Sequence, residues 1–376
     1  MWHRIARGAS ICETSGDAVK IYAIAGGTMK LYAIAALAST CIALSGAPST
    51  RQRRRRPQSP SNHKRVVAIG DVHGDLDALR TCLRVAGVVD TQDAWIGAPG
   101  TTLVSTGDVL DRGDEDWECL AYLHTLQAAA RRKRGDVCLV LGNHEVLNVL
   151  GEMRFASTKS WHAAAEACEP PRRNVERDDD WARRARIRAF APGGAGAAYL
   201  ADLCGDAPVG RVCGDTLYCH GGLHVVALTV GAAARRKRLA KQNKRAPAAD
   251  APARELLAAL NADAAAWLRG AGPLPAALGA SESSPVWSRA YSHPAGAEPA
   301  QSRCGEAAKA LDALGLRRMV VGHTPQITAG INACCGGRVY RIDTGLSSFY
   351  GGMKQCLEVV SNERPRVISS TPEYFW

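Results

Sequence analysis

From Arg65 onward the chain alternates short apolar runs with amphipathic stretches. RVVAIG (65–70), TTLVSTG (101–107) and DVCLVLG (136–142) each have the length and the aliphatic content of a buried strand. Helical spacing lies between them. In DLDALRTCLRVAG (75–87), Leu76, Leu79 and Leu83 fall on one face. A second helix follows through Leu120, Leu123 and Leu126 and ends in RRKRG, with basic residues in its last turn and Gly135 as the stop. Strand, helix, strand in that order predicts an α/β layered fold. DTLYCHGG (215–222), RRMVVGH (317–323) and RVYRIDTG (338–345) predict further strands. The stretches 156–212 and 230–285 read as helical insertions, with RELLAALNADAAAWLRG (254–270) the clearest helix and the Pro/Ala/Arg-rich piece 235–253 a mobile loop. No strong linker interrupts 65–360, so that span reads as one domain, and 361–376 as a C-terminal tail.

The first 64 residues have a different pattern. No Asp or Glu occurs between Ala18 and Gly70, and LYAIAALASTCIALS (31–45) is apolar or small throughout, after Met29 and Lys30. These are the parts of a signal peptide. The run is short for a membrane span, which needs about 20 residues. An organelle presequence is the rival reading, and Met29 competes with Met1 as the start. Residues 1–64 are therefore expected to be a targeting segment and basic linker, in the secretory pathway or in an organelle such as a plastid or mitochondrion, with a cytoplasmic protein as the remaining alternative.

Charge adds little to this. The net charge is +11. Seven cations lie in 51–65 and seven in 235–245, neither tract holding an acid, so the rest of the chain is near neutral. Neither tract has the interleaved aromatics of a nucleic-acid binder. No nucleic acid is expected, and membrane contact only through the N-terminal segment. The 13 cysteines include no C-x-x-C pair; they point to no zinc finger and leave the redox compartment open. Cys138 and Cys219, in apolar runs, read as core thiols.

The ends of the strands carry the candidate chemistry. Strand one runs into GDVHGD (Asp71, His73, Asp75), strand two into GDVLDRGD (Asp108, Asp111, Arg112, Asp114) and strand three into GNHE (Asn143, His144, Glu145). Later strands end in HGG (His220), GHTP (His323) and DTG (Asp343). Ligand sites in open α/β sheets form beyond the carboxyl ends of strands. Each piece alone is weak, because a strand-end His or Asp usually caps a turn. Together they predict a dinuclear metal centre. Oxygen and imidazole donors without thiolate suit Mn, Fe or Zn. Two ions about 3.5–4 Å apart need a bridging carboxylate, and Asp108 is the natural bridge. Asp71 and His73, two apart on an extended segment, would clasp one ion; Asn143, His220 and His323 would hold the other. Glu145, Asp75, Asp114 and Asp343 are expected to cap or brace, and His124, His162, His224 and His293 to stand apart from the site.

Those motifs resemble the calcineurin-like metallophosphoesterases. The DRG and GNHE forms are similar to the phosphoprotein phosphatase branch. GNHEVLNVLGEMRF (142–155), AFAPGG (189–194), VWSRAYS (286–292) and RIDTGLSSFYGG (341–352) are closer still to the Shewanella-like protein phosphatases. The resemblance implies a four-layer α–β–β–α sandwich with the site at the sheet edge, and the same division of ligands between two divalent ions. It also implies a phosphoric monoester hydrolase, most naturally a protein phosphatase for phospho-Ser/Thr or phospho-Tyr. In that scheme a metal-held water attacks phosphorus, Arg112, Arg289 and Asn143 bind the phosphoryl group, and His144, oriented by Asp111, protonates the leaving group. Many eukaryotic members carry Ser-Ala-Pro-Asn-Tyr where this chain reads TGLSSFYGG, so insensitivity to the toxins that bind there is expected. The rival functions are a nucleotide or dinucleoside polyphosphate hydrolase on the same site and, more distantly, a non-catalytic phospho-binding scaffold.

Overall fold

The computed structural model describes residues 64–168, 176–243, 251–361 and 363–370, together with the backbone of four short N-terminal strands. The chain divides into two compact units, Met1–Pro60 and Ser61–Trp376. In the first, β1 (Thr14–Ser15) pairs antiparallel with β2 (Ala18–Val19), and β3 (Ile21–Ala25) with β4 (Thr28–Tyr32). The apolar run 31–45 lies outside the described residues from position 33 onward, as does the basic tract up to His63.

The second unit holds two mixed five-stranded sheets. One has the order β14-β13-β5-β6-β7. Its parallel heart is β5 (Arg65–Ile69), β6 (Thr102–Ser105) and β7 (Asp136–Leu139), flanked by antiparallel β13 (Gln355–Val360) and β14 (Arg366–Ser369). The other has the order β11-β12-β10-β9-β8. There β9 (Thr216–Tyr218), β10 (Arg318–Val321) and β12 (Val339–Arg341) are parallel, and β8 (Arg211–Cys213) and β11 (Asn332–Cys334) are antiparallel edges.

Side-chain alternation divides the core. Val66, Ala68, Val104 and Cys138 of the first sheet share a buried cluster with Tyr218, Val320 and Ile342 of the second. The alternate residues Val67, Ile69, Leu103, Val137 and Leu139 belong to another cluster, shared with helical side chains. Successive strand residues point to opposite faces, so these strands are buried on both sides and read as unbroken apolar runs.

The helices α1 (Leu76–Val85), α2 (Asp116–Arg132), α3 (Asn143–Val149), α4 (Thr158–Cys168), α5 (Asp179–Phe190) and α6 (Ala195–Cys204) follow the first strands, and α7 (Val225–Ala240), α8 (Ala253–Leu268) and α9 (Gln301–Leu314) the later ones. Asp75 caps α1 by accepting from Ala78 N at 2.8 Å, and Leu76, Leu79 and Leu83 form its buried face.

The expectations differ from the structure in two places. The piece 235–253 is not a loop at its start: α7 runs to Ala240, and Asp263 of α8 receives Arg235 and Arg238. Residues 244–250 lie outside the described residues. The stretch expected as a tail carries β14, whose edge position and exposed Arg366 and Val367 give it no apolar run to read. Cys138 and Cys219 are buried free thiols, and Cys304 is bonded to Cys335.

Candidate active site

Six strand ends and their following turns deliver polar groups to one edge of the two sheets. Gly142 and Gly322 show why glycine precedes the donors there. A methyl group on Gly142 would fall on the Asp108 carboxylate, and one on Gly322 on that of Asp71. The buried Glu145 carboxylate then holds the turn after β6. It accepts from Asp108 N (2.8 Å), Val109 N (2.9 Å), Leu110 N (3.1 Å) and Gly142 N (2.8 Å). Glu145 braces the backbone, as its place in GNHE suggested.

The donor atoms converge on one place. His220 Nδ1 donates to Thr106 O at 2.8 Å, which turns Nε2 toward Asp108; burial would lower this imidazole, but the Asp108 carboxylate outweighs it and raises it. His323 Nε2 donates to Trp287 O at 3.1 Å, which leaves Nδ1 bare. His220 Nε2 and His323 Nδ1 face each other at 3.1 Å. Asn143 Oδ1 stands 3.1 Å and Asp108 Oδ2 3.3 Å from His220 Nε2. Four polar atoms crowded in this way suit a cation, or a proton on His220 Nε2, among them. His73 donates from Nδ1 to Leu110 O at 3.1 Å and turns Nε2 to within 3.8 Å of the same Asp108 Oδ2. The ligand-type atoms of His73, Asp108 and His144 lie within 4.8 Å of one another, and so do those of Asp108, His220 and His323. Asp108 is common to both sets.

The segment carrying Asp71 and His73 is not extended throughout, contrary to the expectation from their spacing. His73 has φ +48°, outside extended backbone. The Asp71 carboxylate accepts from His323 N at 3.1 Å and is in neither close set.

Burial and mutual repulsion govern the carboxyl groups at this edge. Burial, and then the charges of Asp343 and Asp108, push the Asp71 carboxyl well above the carboxylate range. Burial pushes Asp343 up to about 6 and Glu145 up to about 7. Burial alone would raise Asp108 as well, but the imidazoles of His220, His144 and His73 outweigh it and hold that carboxyl low. Buried carboxylates without a counter-ion keep protons, which a divalent cation would displace.

Beside the centre, His144 Nδ1 donates to Asp111 Oδ2 at 2.6 Å, and its Nε2 lies 4.0 Å from Asp108 Oδ2. Burial would lower this imidazole; the Asp108 charge and the Asp111 hydrogen bond outweigh it and raise it. Asp111 is fully buried. A cavity of about 380 Å³ opens over this edge, lined by Arg112, Asn143, His144, Arg154, Phe155, Trp287, Arg289 and His323 among others. Arg289 Nη1 donates to His323 O at 2.7 Å and to Thr324 Oγ1 at 3.0 Å. The Arg112 guanidinium lies 4.4 Å from the Phe155 ring centre and 5.4 Å from that of Phe349, and its Nε has no protein partner. A larger cleft, about 800 Å³, lies at the opposite ends of the strands around Lys64, Thr102 and Arg254 and holds none of these groups.

All ten expected site residues thus lie at this edge. Sequence reasoning did not assign Arg154, Phe155, Trp287 and Phe349, which stand on turns and loops with no periodicity to expose them. His224 is buried elsewhere, bonded to Ser288 Oγ at 2.8 Å.

Residues 64–326 match the family described as calcineurin-like phosphoesterase. The chain is 29% identical, over 85% of its length and 83% of the relative's, to Shewanella-like protein phosphatase 2 of Arabidopsis thaliana. It is 27% identical, over 76% of its length and 68% of the relative's, to Shewanella-like protein phosphatase 1 of Plasmodium berghei. The fold is similar to that of a cold-active protein-tyrosine phosphatase of a psychrophilic Shewanella, with a TM-score of 0.50 and 20% identity over 96% of this chain and 99% of that one.

Proposed function

The chain belongs to the calcineurin-like phosphoesterase family, and from that premise we propose that it is a metal-dependent phosphomonoester hydrolase whose substrates are phosphorylated proteins. The observation that carries this reading is the set of oxygen and imidazole donors gathered around His220 Nε2, which suits a metal ion, standing beside a hydrogen-bonded His144–Asp111 pair. The Shewanella-like relatives, named as protein phosphatases, support the substrate class.

The donor chemistry fits two divalent ions, one held by Asp71, His73 and Asp108 and the other by Asp108, Asn143, His220 and His323. Imidazole and oxygen donors favour Mn, Fe or Zn. Bound there, the ions supply Lewis acidity toward the phosphoryl oxygens and toward water. The chain does the rest. Arg112 and Arg289, both lining the cavity, bind phosphoryl oxygens with paired N–H groups, joined by the Asn143 side chain. Phe155 and Phe349 hold the Arg112 plane in place. His144 delivers a proton from Nε2 to the departing oxygen, while Asp111 keeps Nδ1–H engaged and stabilises the imidazolium. No cysteine nucleophile takes part. Residues 1–64 serve, on this reading, as targeting segment and linker to a catalytic domain.

Purified protein loaded in turn with Mn, Fe or Zn and offered phosphotyrosine and phosphoserine peptides, mononucleotides, a dinucleoside tetraphosphate and bis(p-nitrophenyl) phosphate tests the reading. Metal-dependent phosphate release from the peptides, well ahead of the nucleotides and the diester, is the expected result. Turnover confined to nucleotides would assign the site to the rival hydrolase. A loaded protein that leaves every monoester intact would make it a binding scaffold.

A further inference from the structure

Behind His144 lies a buried charge for which the chemistry above has no use. Arg186, on α5, has no solvent exposure. A guanidinium has five N–H groups in a rigid fork, and here each has an acceptor. Nη1 donates to Asp116 Oδ1 at 3.0 Å and Ser160 O at 3.0 Å, Nη2 to Asp116 Oδ2 at 2.7 Å and Asn148 Oδ1 at 2.9 Å, and Nε to Asn148 Oδ1 at 3.2 Å. With its oxygen turned to the guanidinium, Asn148 must present Nδ2 on its other side. There it donates to Asp111 Oδ1 at 2.8 Å. Asp116 Oδ2 also accepts from Asp111 N at 3.0 Å. Asp111 sits at φ +71°, a conformation that needs holding. One cation therefore fixes the two groups that pin the backbone and one carboxylate oxygen of Asp111, leaving the other oxygen for His144 Nδ1.

We propose that Arg186 is a positioning residue for the proton donor: through Asn148 and Asp116 it fixes Asp111, and through Asp111 it aims His144 Nε2 at the leaving oxygen. The proposal rests on the reading of His144 as the acid. It makes a helix of the 156–212 insertion part of the machinery without any contact to substrate. A role in stability alone would slow every substrate equally. A role in protonation slows most those esters whose leaving group most needs the proton.

The test is a series of aryl phosphates of rising leaving-group pKa, from p-nitrophenyl to phenyl phosphate, turned over by the metal-loaded full chain and by Arg186→Met, Asn148→Ala and His144→Asn, with metal content and thermal unfolding measured for each. All three variants are expected to lose roughly 10²-fold or more on the poorest leaving groups and far less on p-nitrophenyl phosphate. If Arg186→Met fails to fold because Asp116 is left uncompensated, Asn148→Ala, which removes the bonds to Asp111 Oδ1 and His144 O and the acceptor of Arg186, carries the comparison. A uniform loss in the Arg186 and Asn148 variants beside a graded loss in His144→Asn overturns the proposal and leaves the acid in place. A uniform loss in His144→Asn removes the acid assignment, and the proposal with it.

Discussion

Asp108 and His144 lie 4.0 Å apart at their nearest charged atoms and have opposite tasks. Asp108 is the only acid shared by both donor sets, whereas His144 reaches the centre from the Asp111 side. Both belong to strained surroundings. His73, Asp108, Asp111, Arg112 and His323 all stand on left-handed backbone, at φ +48°, +51°, +71°, +72° and +70°. Such conformations cost on the order of 1–3 kcal/mol each and survive where surrounding contacts over-determine them. The four amides on Glu145 are such contacts. Asp108→Asn is expected to lose bound metal and, with it, all measurable turnover. His144→Ala is expected to keep its metal and turn over roughly 10²–10⁴-fold more slowly. Elemental analysis beside steady-state rates separates the two. An Asp108→Asn protein with full metal and normal rates would remove Asp108 from the centre. The donor residues were legible because Gly and a polar group follow each apolar run. Arg186 was harder to see, although it left a trace: it lies at the apolar spacing Ala182, Ala185, Arg186, Ala189, where a cation has no business unless it is paired.

At the scale of elements, strands buried on both faces announced themselves, and strands at edges did not. β8, β11 and β14 are three or four residues long, only partly buried, and close sheets rather than build their cores. The basic tract at 235–245 misled for a different reason. Consecutive cations read as solvated chain, but helical geometry sends them to different sides. Arg235 and Arg238 turn to Asp263 on α8, while Lys237 and Lys241 stay exposed. Asp263 is itself 7% exposed. Asp263→Ala leaves two partly buried guanidinium groups without their carboxylate at the α7–α8 seam, Arg235 keeping only its bond to Ala259 O, a loss of about 1–3 kcal/mol. Thermal unfolding should fall by several degrees with the phosphatase rate unchanged. An unaltered transition would mean that water screens these pairs and that the seam rests on Leu228, Gly231 and Leu260 alone.

For the whole molecule, the two-sheet α/β architecture was foreseeable because strands and helices alternate, and the family motifs named its relatives before any coordinate did. The insertions were foreseeable as helices but not as partners of the site, since which helix face meets the GNHE turn depends on packing across more than 30 residues of chain. Everything proposed for this protein depends on distant segments delivering oxygen and imidazole donors to one place for two cations to bind. Counting metal per chain tests that most directly. Protein stripped with chelator, re-equilibrated with Mn and freed of excess is predicted to hold two ions per chain, falling to one or none in His220→Ala, with hydrolysis lost in step. Full hydrolysis by a chain that retains no metal, or two ions held undiminished by His220→Ala, would contradict it.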